Sequence, residues 1–303
     1  MNSVSAIVPT RDRPELLRRT VRSIVAQDHD GGIETIVVYD GTQPDPTLVG
    51  LGTARRPVRV VVNDRTPGLA GARNTGVMAA DTEFVAFCDD DDRWCPQKVG
   101  RQVARASAGD RPALVTCAIT VDYEGRFSDR LAGTDRVVHA RLTRSRMAML
   151  HSSTFLFRRD ALVHEIGLVS ERIPGSQNED WDLLLRTAER GPIAHLEQPL
   201  VVVQWGRTSL FARSWDTKVA SLHWMLEQHP AIGRDRRGVA RVHGQIAFGE
   251  AAQGHARVAL RWVGRTLRED PTQWRALVAL PVAGHLVRAE SVLDVLHRFG
   301  RGV

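Results

Sequence analysis

The chain has 303 residues, of which 43% are hydrophobic and 25% charged, and its formal net charge is +6. This is an ordinary globular composition, and it excludes a disordered chain, a collagen and a coiled coil. Residues 1–210 hold 27 basic and 27 acidic residues, so the charge excess falls entirely in residues 211–303. A small basic excess spread over that length is a weaker sign of a nucleic-acid partner than a clustered stripe would be.

The cysteines and the apolar runs indicate the cellular compartment of the protein. Cys88, Cys95 and Cys117 are odd in number and show no zinc-like spacing, which argues against a disulfide or zinc scaffold. The N-terminal sequence has neither the basic segment nor the apolar run of a signal peptide. No stretch approaches the roughly 18 uncharged apolar residues of a membrane-spanning helix. We therefore expect a cytoplasmic protein that is at most peripheral at a membrane.

Short apolar runs alternate with helical patterns over the first 120 residues. Asp12 and Glu15 resemble a capping box at the start of the first helix. Apolar strands separated by helices favour a mostly parallel sheet with both faces covered, which is the α/β class. The predicted strands are residues 4–8, 34–40, 58–62, 83–88 and 112–121, and the predicted helices cover residues 16–25, 70–80 and 96–106.

The second half of the chain predicts a few more sheet elements and then helices alone. Residues 121–150 are polar and Arg-rich, which predicts a long loop or a β-ribbon. After about residue 212 the pattern is helical to the end, with Pro281 beginning the last helix. We therefore expect an α/β domain over residues 1–210 and a C-terminal helical appendage over residues 211–303. Between the ribbon and the appendage, the pattern predicts a strand at 151–159, a helix at 179–190 and a strand at 199–205.

Four consecutive aspartates, residues 89–92, directly follow the apolar strand EFVAFC. Ligands of open parallel sheets bind at the carboxyl ends of the strands, and this run lies at one of them. Side chains alternate along a strand, so Asp89 and Asp91 share a face. Carboxylates about 5 Å apart repel by roughly 3 kcal/mol at an effective dielectric near 20, which a divalent cation relieves. The run therefore predicts a Mg²⁺ or Mn²⁺ site, and an acidic surface turn is the alternative.

Two further segments place candidate residues at helix starts. Residues 68–74, GLAGARN, form a glycine-rich loop that enters a helix, which suits a diphosphate, although a plain tight turn explains it equally well. Residues 178–181, NEDW, place carboxylates in the first turn of a helix, where the dipole stabilises the ionised form. Such a carboxylate can act as a general base, and an ordinary N-cap with acidic first-turn residues is the alternative.

Five motifs follow one another along residues 3–210: SAIVPTRDRPELLRRTVRSI, VVYDGT, GLAGARNTG, FCDDDDRWCPQK and NEDWDLLLR. In this order they resemble an inverting family 2 glycosyltransferase with the GT-A fold, a Rossmann-like sheet with flanking helices. The resemblance implies transfer of a sugar from a nucleoside diphosphate sugar, of the UDP or dTDP type, to an acceptor hydroxyl with inversion at the anomeric carbon. It also implies Mg²⁺ or Mn²⁺ as cofactor.

The resemblance implies roles for individual residues of this chain. Asp180 matches the general base that takes the proton of the acceptor, and Glu179 is its usual neighbour. Asp89 and Asp91 match the metal ligands of the DxD region, with Asp91 the direct ligand. The residues that match donor-binding positions are Thr10, Arg11, Arg13, Asp40, Arg73, Asp89 and Asp90, of which Asp40 reads the nucleotide base, Arg73 lies near the diphosphate and Asp90 lies nearer the ribose.

Three departures from the family pattern bear on these roles. Tyr39 stands where many relatives have an aspartate, which leaves the preferred nucleotide base open. Arg13 follows Asp12 where asparagine is usual, so Asp12 is expected only to cap the helix. The segment VQWGRTSL keeps Trp205 and Arg207 but lacks the histidine that often follows in relatives.

Two other side chains have alternative interpretations. His151 either lines the acceptor cleft or is a structural histidine. Arg186, two turns into the helix after NEDW, either faces phosphate or is solvated.

Two other function classes remain open from the sequence. One is a non-catalytic nucleotide-sugar or glycan-binding protein on the same fold. The other is a nucleotidyltransferase, which would carry a glycine-rich phosphate loop after the first strand, where this chain has PTRDRPE. For an enzyme, a glycan, a glycolipid and a small metabolite are all compatible acceptors. We hypothesise that residues 212–303 contact the acceptor, a partner or a membrane surface, and self-association stays open.

Overall fold

The computed structural model describes residues 2–205 and 214–298. These residues form two compact units. The predicted boundary between residues 210 and 211 lies outside the described residues, so the predicted division into domains stays a prediction. The first unit comprises residues 2–139, 147–171 and 179–205, and the second comprises residues 140–146, 172–178 and 214–298.

A mixed sheet forms the centre of the first unit. The predicted α/β class is confirmed, and the strands at 4–8, 34–40, 58–62 and 83–88 lie close to their predicted bounds. The ten strands of the described residues are β1 (Val4–Thr10), β2 (Ile33–Tyr39), β3 (Val58–Val62), β4 (Phe84–Phe87), β5 (Arg93–Trp94), β6 (Leu114–Tyr123), β7 (Arg126–Arg130), β8 (Arg136–Val137), β9 (Leu156–Arg158) and β10 (Ile193–Trp205).

The strand order is β3-β2-β1-β4-β9-β6-β10-β5, with β7 beside β6 and β8 beside β10. The first four strands in this order are parallel, so their carboxyl ends meet at one edge of the sheet. Thr10 pairs with Tyr39, which pairs with Val62, so the residues that follow β1, β2 and β3 are neighbours at that edge. The other half is mixed, because β9 runs antiparallel to both β4 and β6 while β10 runs parallel to β6.

Helices cover the sheet and make up most of the second unit. Among the described residues they are α1 (Pro14–Val25), α2 (Leu69–Ala79), α3 (Lys98–Ala106), α4 (His139–Arg144), α5 (Glu179–Arg190), α6 (Trp215–Gln228), α7 (Pro230–Arg234), α8 (Arg236–Ala252), α9 (Ala256–Glu269), α10 (Trp274–Ala283) and α11 (Ala289–Arg298).

The two faces of the sheet bury different helices. Leu17 and Val21 of α1 and Val103 of α3 join the core on the face that carries Val4. Ile7 points to the opposite face, where an added Cβ on Gly76 of α2 would lie 2.3 Å from its Cγ2. A glycine is required there because helix and strand approach so closely. Each fully buried aliphatic side chain contributes about 1.5–3 kcal/mol to the free energy of unfolding. The helices on both faces therefore stabilise the sheet.

Small side chains form much of the core of the second unit. Ala251 of α8, Ala259 of α9 and Ala279 of α10 are buried together, which lets the three helices approach closely. Phe248 contributes a larger side chain, with its ring 5.4 Å from that of Trp215. None of the helices within the described ranges is long and apolar enough to cross a membrane.

Four predicted features differ from the structure. The strand predicted at 151–159 is confined to Leu156–Arg158, because His151 caps a 3₁₀ helix over Ser152–Thr154. The capping box is wrong, because Asp12 has a left-handed φ of 55° and the N-cap is Arg13, without a side-chain cap bond. Pro281 does not begin the last helix but lies in the last turn of α10, where the hydrogen bond that proline lacks is one of the last of that helix. Residues 121–150 form a ribbon in which the end of β6 pairs with β7, but they also contain β8, which pairs with β10, and the unpredicted helix α4.

Candidate functional site

The carboxyl edge of the parallel strands brings Asp40 and Thr10 to adjacent positions. Asp40, after β2, is buried and accepts hydrogen bonds on both oxygens, from Asn63 Nδ2 at 2.8 Å and from the backbone amide of Gly68 at 3.0 Å. Thr10, at the end of β1, donates to Asp90 Oδ2 at 2.8 Å. Asp40 is therefore held by the loop that enters α2, while Thr10 is tied to the acidic run.

Arg13 neutralises part of the acidic run. Its Nη1 lies 2.6 Å from Asp91 Oδ2 and 3.3 Å from Asp90 Oδ1. Burial raises the pKa of Asp90. Burial, together with the charges of Asp89 and Asp90, raises the pKa of Asp91 to about 6. Arg11 is exposed, and its backbone amide donates to Asp90. The structure therefore joins Arg13 and the backbone of Arg11 to the run.

Arg73 of α2 joins the acidic run to α5. Its side chain is 1% exposed, and its Nη2 lies 2.6 Å from Asp89 Oδ1 and 2.8 Å from Ser152 Oγ. Its Nη1 forms a buried ion pair with Glu179. Burial alone would lower the pKa of Arg73, but the two carboxylates raise it above its ordinary value. A permanently charged guanidinium thus links two motifs that the sequence treats separately.

Asp89, Asp92 and His151 form a cluster with metal-ligand chemistry. One ligand atom from each of these side chains lies within 4.8 Å of the other two. Asp92 is 1% exposed, accepts from Ser153 Oγ at 2.5 Å, and lies 3.3 Å from His151 Nδ1. Burial and then the charges of Asp89 and Asp91 raise the pKa of Asp92 well above its usual range.

The donor set of this region fits a divalent cation. Across residues 89–92, four carboxylates lie against two guanidiniums, Arg13 and Arg73, and against the imidazole of His151. Carboxylate oxygens suit Mg²⁺ and Mn²⁺, and an imidazole nitrogen is acceptable to Mn²⁺. The excess of negative charge is the physical reason to expect a cation there.

Asp180 lies beside Glu179 in the first turn of α5 and is buried. Its Oδ1 accepts from the backbone amide of Trp181 at 2.7 Å. An ionised carboxylate at this end of a helix is stabilised by the helix dipole and by the amides of the first turn. The helix therefore presents the two carboxylates together, and Glu179 is the one that Arg73 ties to Asp89.

Glu171 holds the loop after β3 against α2. It accepts from Arg65 Nε at 2.6 Å, from Asn74 Nδ2 at 2.7 Å and from the amide of Thr66 at 3.3 Å. Burial opposes its charge, but these hydrogen bonds prevail and lower the pKa of Glu171 to about 2. The same loop supplies Asn63 to Asp40, so Glu171 positions the surroundings of a predicted donor residue.

Sequence reasoning missed Glu171, Asp92 and Ser153 as parts of the site. No motif marks Glu171 or Ser153, whose partners lie far away in sequence. Asp92 could have been found as the last member of the acidic run, and His151 was weighed as cleft or structural residue without its contact to Asp92.

Three further residues were singled out from the sequence. Arg186 is neither solvated nor aimed at a phosphate site, because it pairs with Asp182 at 2.7 Å and donates to the carbonyls of residues 166–168. It therefore holds α5 to the segment before it. Trp205 ends β10, and Arg207 lies outside the described residues.

The chain is similar in sequence to known proteins. The family model described as "Glycosyl transferase family 2" matches residues 5–164. The succinoglycan biosynthesis protein ExoO of Rhizobium meliloti (strain 1021) is 29% identical over 191 residues, which cover 61% of this chain and 53% of that protein. The chain thus spans about half the length of this curated relative.

Solved structures share the fold. TarS of S. aureus in complex with UDP-GlcNAc matches with a TM-score of 0.63 at 16% identity, covering 99% of this chain and 93% of that one. The mannosyltransferase PcManGT of Pyrobaculum calidifontis, in complex with GDP-Man and Mn²⁺, matches with a TM-score of 0.59 at 16% identity, covering 98% and 84%. At this identity the likeness shows the GT-A fold.

Proposed function

We propose that this chain, which belongs to glycosyl transferase family 2, transfers a sugar from a nucleoside diphosphate sugar to an acceptor hydroxyl with inversion at the anomeric carbon. One observation carries the proposal. Arg73 joins Asp89 of the acidic run to Glu179, so the predicted donor and base motifs belong to one site. The buried ion pairs fix the spacing between these motifs before substrate binds, which is the preorganisation that group transfer needs.

The donor nucleotide is proposed to bind at the carboxyl edge of β1 and β2. Asp40 would read the base, while Thr10, Arg11, Arg13 and Asp90 would lie along the ribose and phosphates. Support comes from the hydrogen bonds that orient Asp40 and from the contacts that tie Thr10 and Arg13 to the acidic run. The donor is proposed to be of the UDP or dTDP type. TarS was solved with UDP-GlcNAc and PcManGT with GDP-Man, so related folds accept more than one base.

The cofactor is proposed to be Mg²⁺ or Mn²⁺, held by Asp89 and Asp91. The cluster geometry adds Asp92 and His151 as further candidate ligands. A bound divalent cation would neutralise charge on the leaving diphosphate. PcManGT was solved with Mn²⁺, which supports a metal in this fold. Arg73 adds a permanent positive charge near Asp89, and because it is 1% exposed it acts by its charge and by holding Asp89 and Glu179.

Asp180 is proposed as the general base. An ionised carboxylate in the first turn of α5 can accept the proton of the acceptor hydroxyl as its oxygen attacks from the face opposite the diphosphate. Its backbone hydrogen bond from Trp181 and its place beside Glu179 fix its direction. The acceptor is proposed to be a hydroxyl of a glycan, since ExoO is named for succinoglycan biosynthesis.

The assignment of the base is tested by D180N. We expect this variant to keep nucleotide binding and to lose sugar transfer and donor hydrolysis by at least about a hundredfold, the usual range of a general base. D216N is the matched control, because Asp216 also lies in the first turn of a helix, in α6, and should keep wild-type turnover. Wild-type turnover in D180N would refute the assigned base.

A non-catalytic nucleotide-sugar or glycan-binding protein is the alternative. The departures at Tyr39 and in VQWGRTSL favour it. Folded protein that binds a nucleotide sugar and neither hydrolyses nor transfers it, across a panel of donors and glycan acceptors, would support this alternative.

A further inference from the structure

Six large aliphatic side chains are exposed within a short stretch of the second unit. Leu277 is 56% exposed and Leu286 is 82% exposed. The stretch holds six of the thirteen large hydrophobic side chains that are exposed among the described residues, although it covers about a tenth of the chain. The six are Val258, Leu260, Leu277, Leu280, Leu286 and Val287. Such a concentration marks an interaction surface, whereas scattered single residues would not.

Arginines accompany these aliphatic residues. On α9, arginines recur at i, i+4, i+8 and i+11, so they share one face of the helix. They are Arg257, Arg261, Arg265 and Arg268, and Arg288 follows α10; all five are exposed. Within the described chain, no carboxylate lies within ion-pair distance of any of these five. Four of the 14 basic residues of residues 211–303 therefore share one helical face.

The same stretch holds few carboxylates. Glu269 and Asp270 are the acidic residues of positions 256–288; the side chain of Glu269 is 39% exposed, and exposed Glu290 lies two residues beyond Arg288. Glu269 lies 3.7 Å from Arg236, and Asp270 accepts from Thr272. We call the exposed residues of α9, α10 and the turn through Arg288 the α9–α10 surface. It presents aliphatic side chains and five exposed arginines against two carboxylates, so its net charge is positive.

The geometry points to a membrane with anionic lipid headgroups as the partner of the α9–α10 surface. Lipid phosphates match the arginines, and the region below the headgroups accepts leucine and valine side chains. A nucleic acid would leave the leucines exposed, since its phosphates need only the arginines. A second copy of this surface would bring ten arginines together with only four carboxylates. This inference goes beyond the proposed sugar transfer and does not depend on it.

The test is binding of the full chain to vesicles. Wild-type protein should bind phosphatidylglycerol–phosphatidylcholine vesicles and should bind pure phosphatidylcholine vesicles much more weakly. R257Q/R261Q should lower the affinity for the anionic vesicles by about thirtyfold, because each arginine near an anionic surface contributes about a factor of five. The matched control is R55Q/R190Q, which removes two exposed arginines from the first unit and should bind as wild type does.

A second pair of variants tests the aliphatic side chains. L277S/L286S should weaken vesicle binding by at least about tenfold, since two leucines lose their insertion into the bilayer. V49S/M78S is the control, because Val49 and Met78 are also about half exposed but lie in the first unit. All four double variants should bind nucleotide as wild type does in calorimetry, which separates a failure of this inference from a failure of the proposed function.

Three outcomes would overturn the inference. The first is equal binding of the wild type to anionic and neutral vesicles, or binding to neither. The second is vesicle binding that survives in both R257Q/R261Q and L277S/L286S. The third is a dimer in sedimentation that L277S/L286S dissociates, which would assign the surface to a second copy of the chain.

Discussion

Arg73 carries ion pairs to two carboxylates that lie far apart in sequence, Asp89 after β4 and Glu179 in α5. The sequence marked all three as candidates, because each stands in a motif at a strand end or a helix start. It could not show that they meet, since contacts over 16 and 106 residues depend on how β4 and α5 are placed by the sheet. Ser153 was missed for the same reason, whereas Asp92 stood in the acidic run and was not assigned a role.

Replacing the buried guanidinium should be costly. R73Q leaves Asp89 and Glu179 without their shared cation, and breaking a buried pair in this way costs about 3–5 kcal/mol of the free energy of unfolding. Urea unfolding measures the loss. R105Q is the control, because Arg105 pairs with exposed Asp110 and its removal should change stability far less. Equal losses in the two variants would contradict the role given to Arg73.

At the scale of elements, the junction between α2 and the loop over residues 63–68 holds Asp40, the residue proposed to read the nucleotide base. Glycines allow the close approach, since an added Cβ on Gly71 would lie 1.9 Å from the carbonyl oxygen of Thr66. From the sequence, this glycine-rich loop at the start of α2 is interpreted as a diphosphate-binding loop or a tight turn. The sequence did not predict Glu171, because an isolated glutamate in an irregular segment gives no pattern from which to assign a partner.

Filling the junction should displace the loop. G71A forces the backbone of Thr66 away from α2, which should cost about 1–3 kcal/mol of stability and weaken nucleotide binding through Asp40. Thermal unfolding and calorimetry measure the two effects. G264A is the control, because Gly264 lies on exposed α9 with open space around it, and alanine there should be neutral or stabilising. Unchanged binding in folded G71A would contradict the junction's role.

The low pKa of Glu171 makes its contribution depend on pH. Its ionised form is stabilised in the folded state, where the pKa of Glu171 is about 2 against an ordinary value of 4.5. The contribution is therefore present above about pH 4.5 and is lost as the pH falls toward 2. E171Q should lower the free energy of unfolding by about 1–2 kcal/mol at pH 7.

The difference between E171Q and the wild type should shrink as the pH falls, and urea unfolding between pH 7 and 3 measures it. E189Q, at an exposed glutamate near the end of α5, should show a smaller change at every pH. A deficit of E171Q that stays constant down to pH 3 would contradict the ionic origin of its contribution.

At the scale of the whole molecule, the sequence predicted the α/β class and most strands, because buried strands read as apolar runs and amphipathic helices as periodic ones. The sequence did not predict α4 within the Arg-rich segment. A helix this short has no clear apolar period, and tertiary contacts stabilise it. The sequence also could not show which side of α9 is exposed, because that depends on how α9 packs against α8 and α10. The arginines of the C-terminal helices therefore could not be assigned to a surface.

The site residues all belong to the first unit, which makes a prediction for hydrogen exchange. UDP with Mn²⁺ should slow exchange in peptides that contain residues 10–13, 40, 63–74 and 89–92. It should leave peptides from residues 256–288 unchanged, since the α9–α10 surface is proposed to bind lipid and not donor. Protection confined to residues 256–288 would contradict this division of roles.

The central claim is a metal-dependent nucleotide-sugar site at residues 89–92, and calorimetric titration tests it most directly. The protein is titrated with UDP, dTDP, GDP and CDP in the presence of Mn²⁺, of Mg²⁺ and of EDTA. The same titrations are made with D91N and with D160N, a control variant at an aspartate whose side chain is 88% exposed. We predict that one uracil or thymine nucleotide binds most tightly, that EDTA and D91N abolish binding, and that D160N binds as wild type does. Folded protein that binds no nucleotide, or binds equally well in EDTA and in D91N, would contradict the claim.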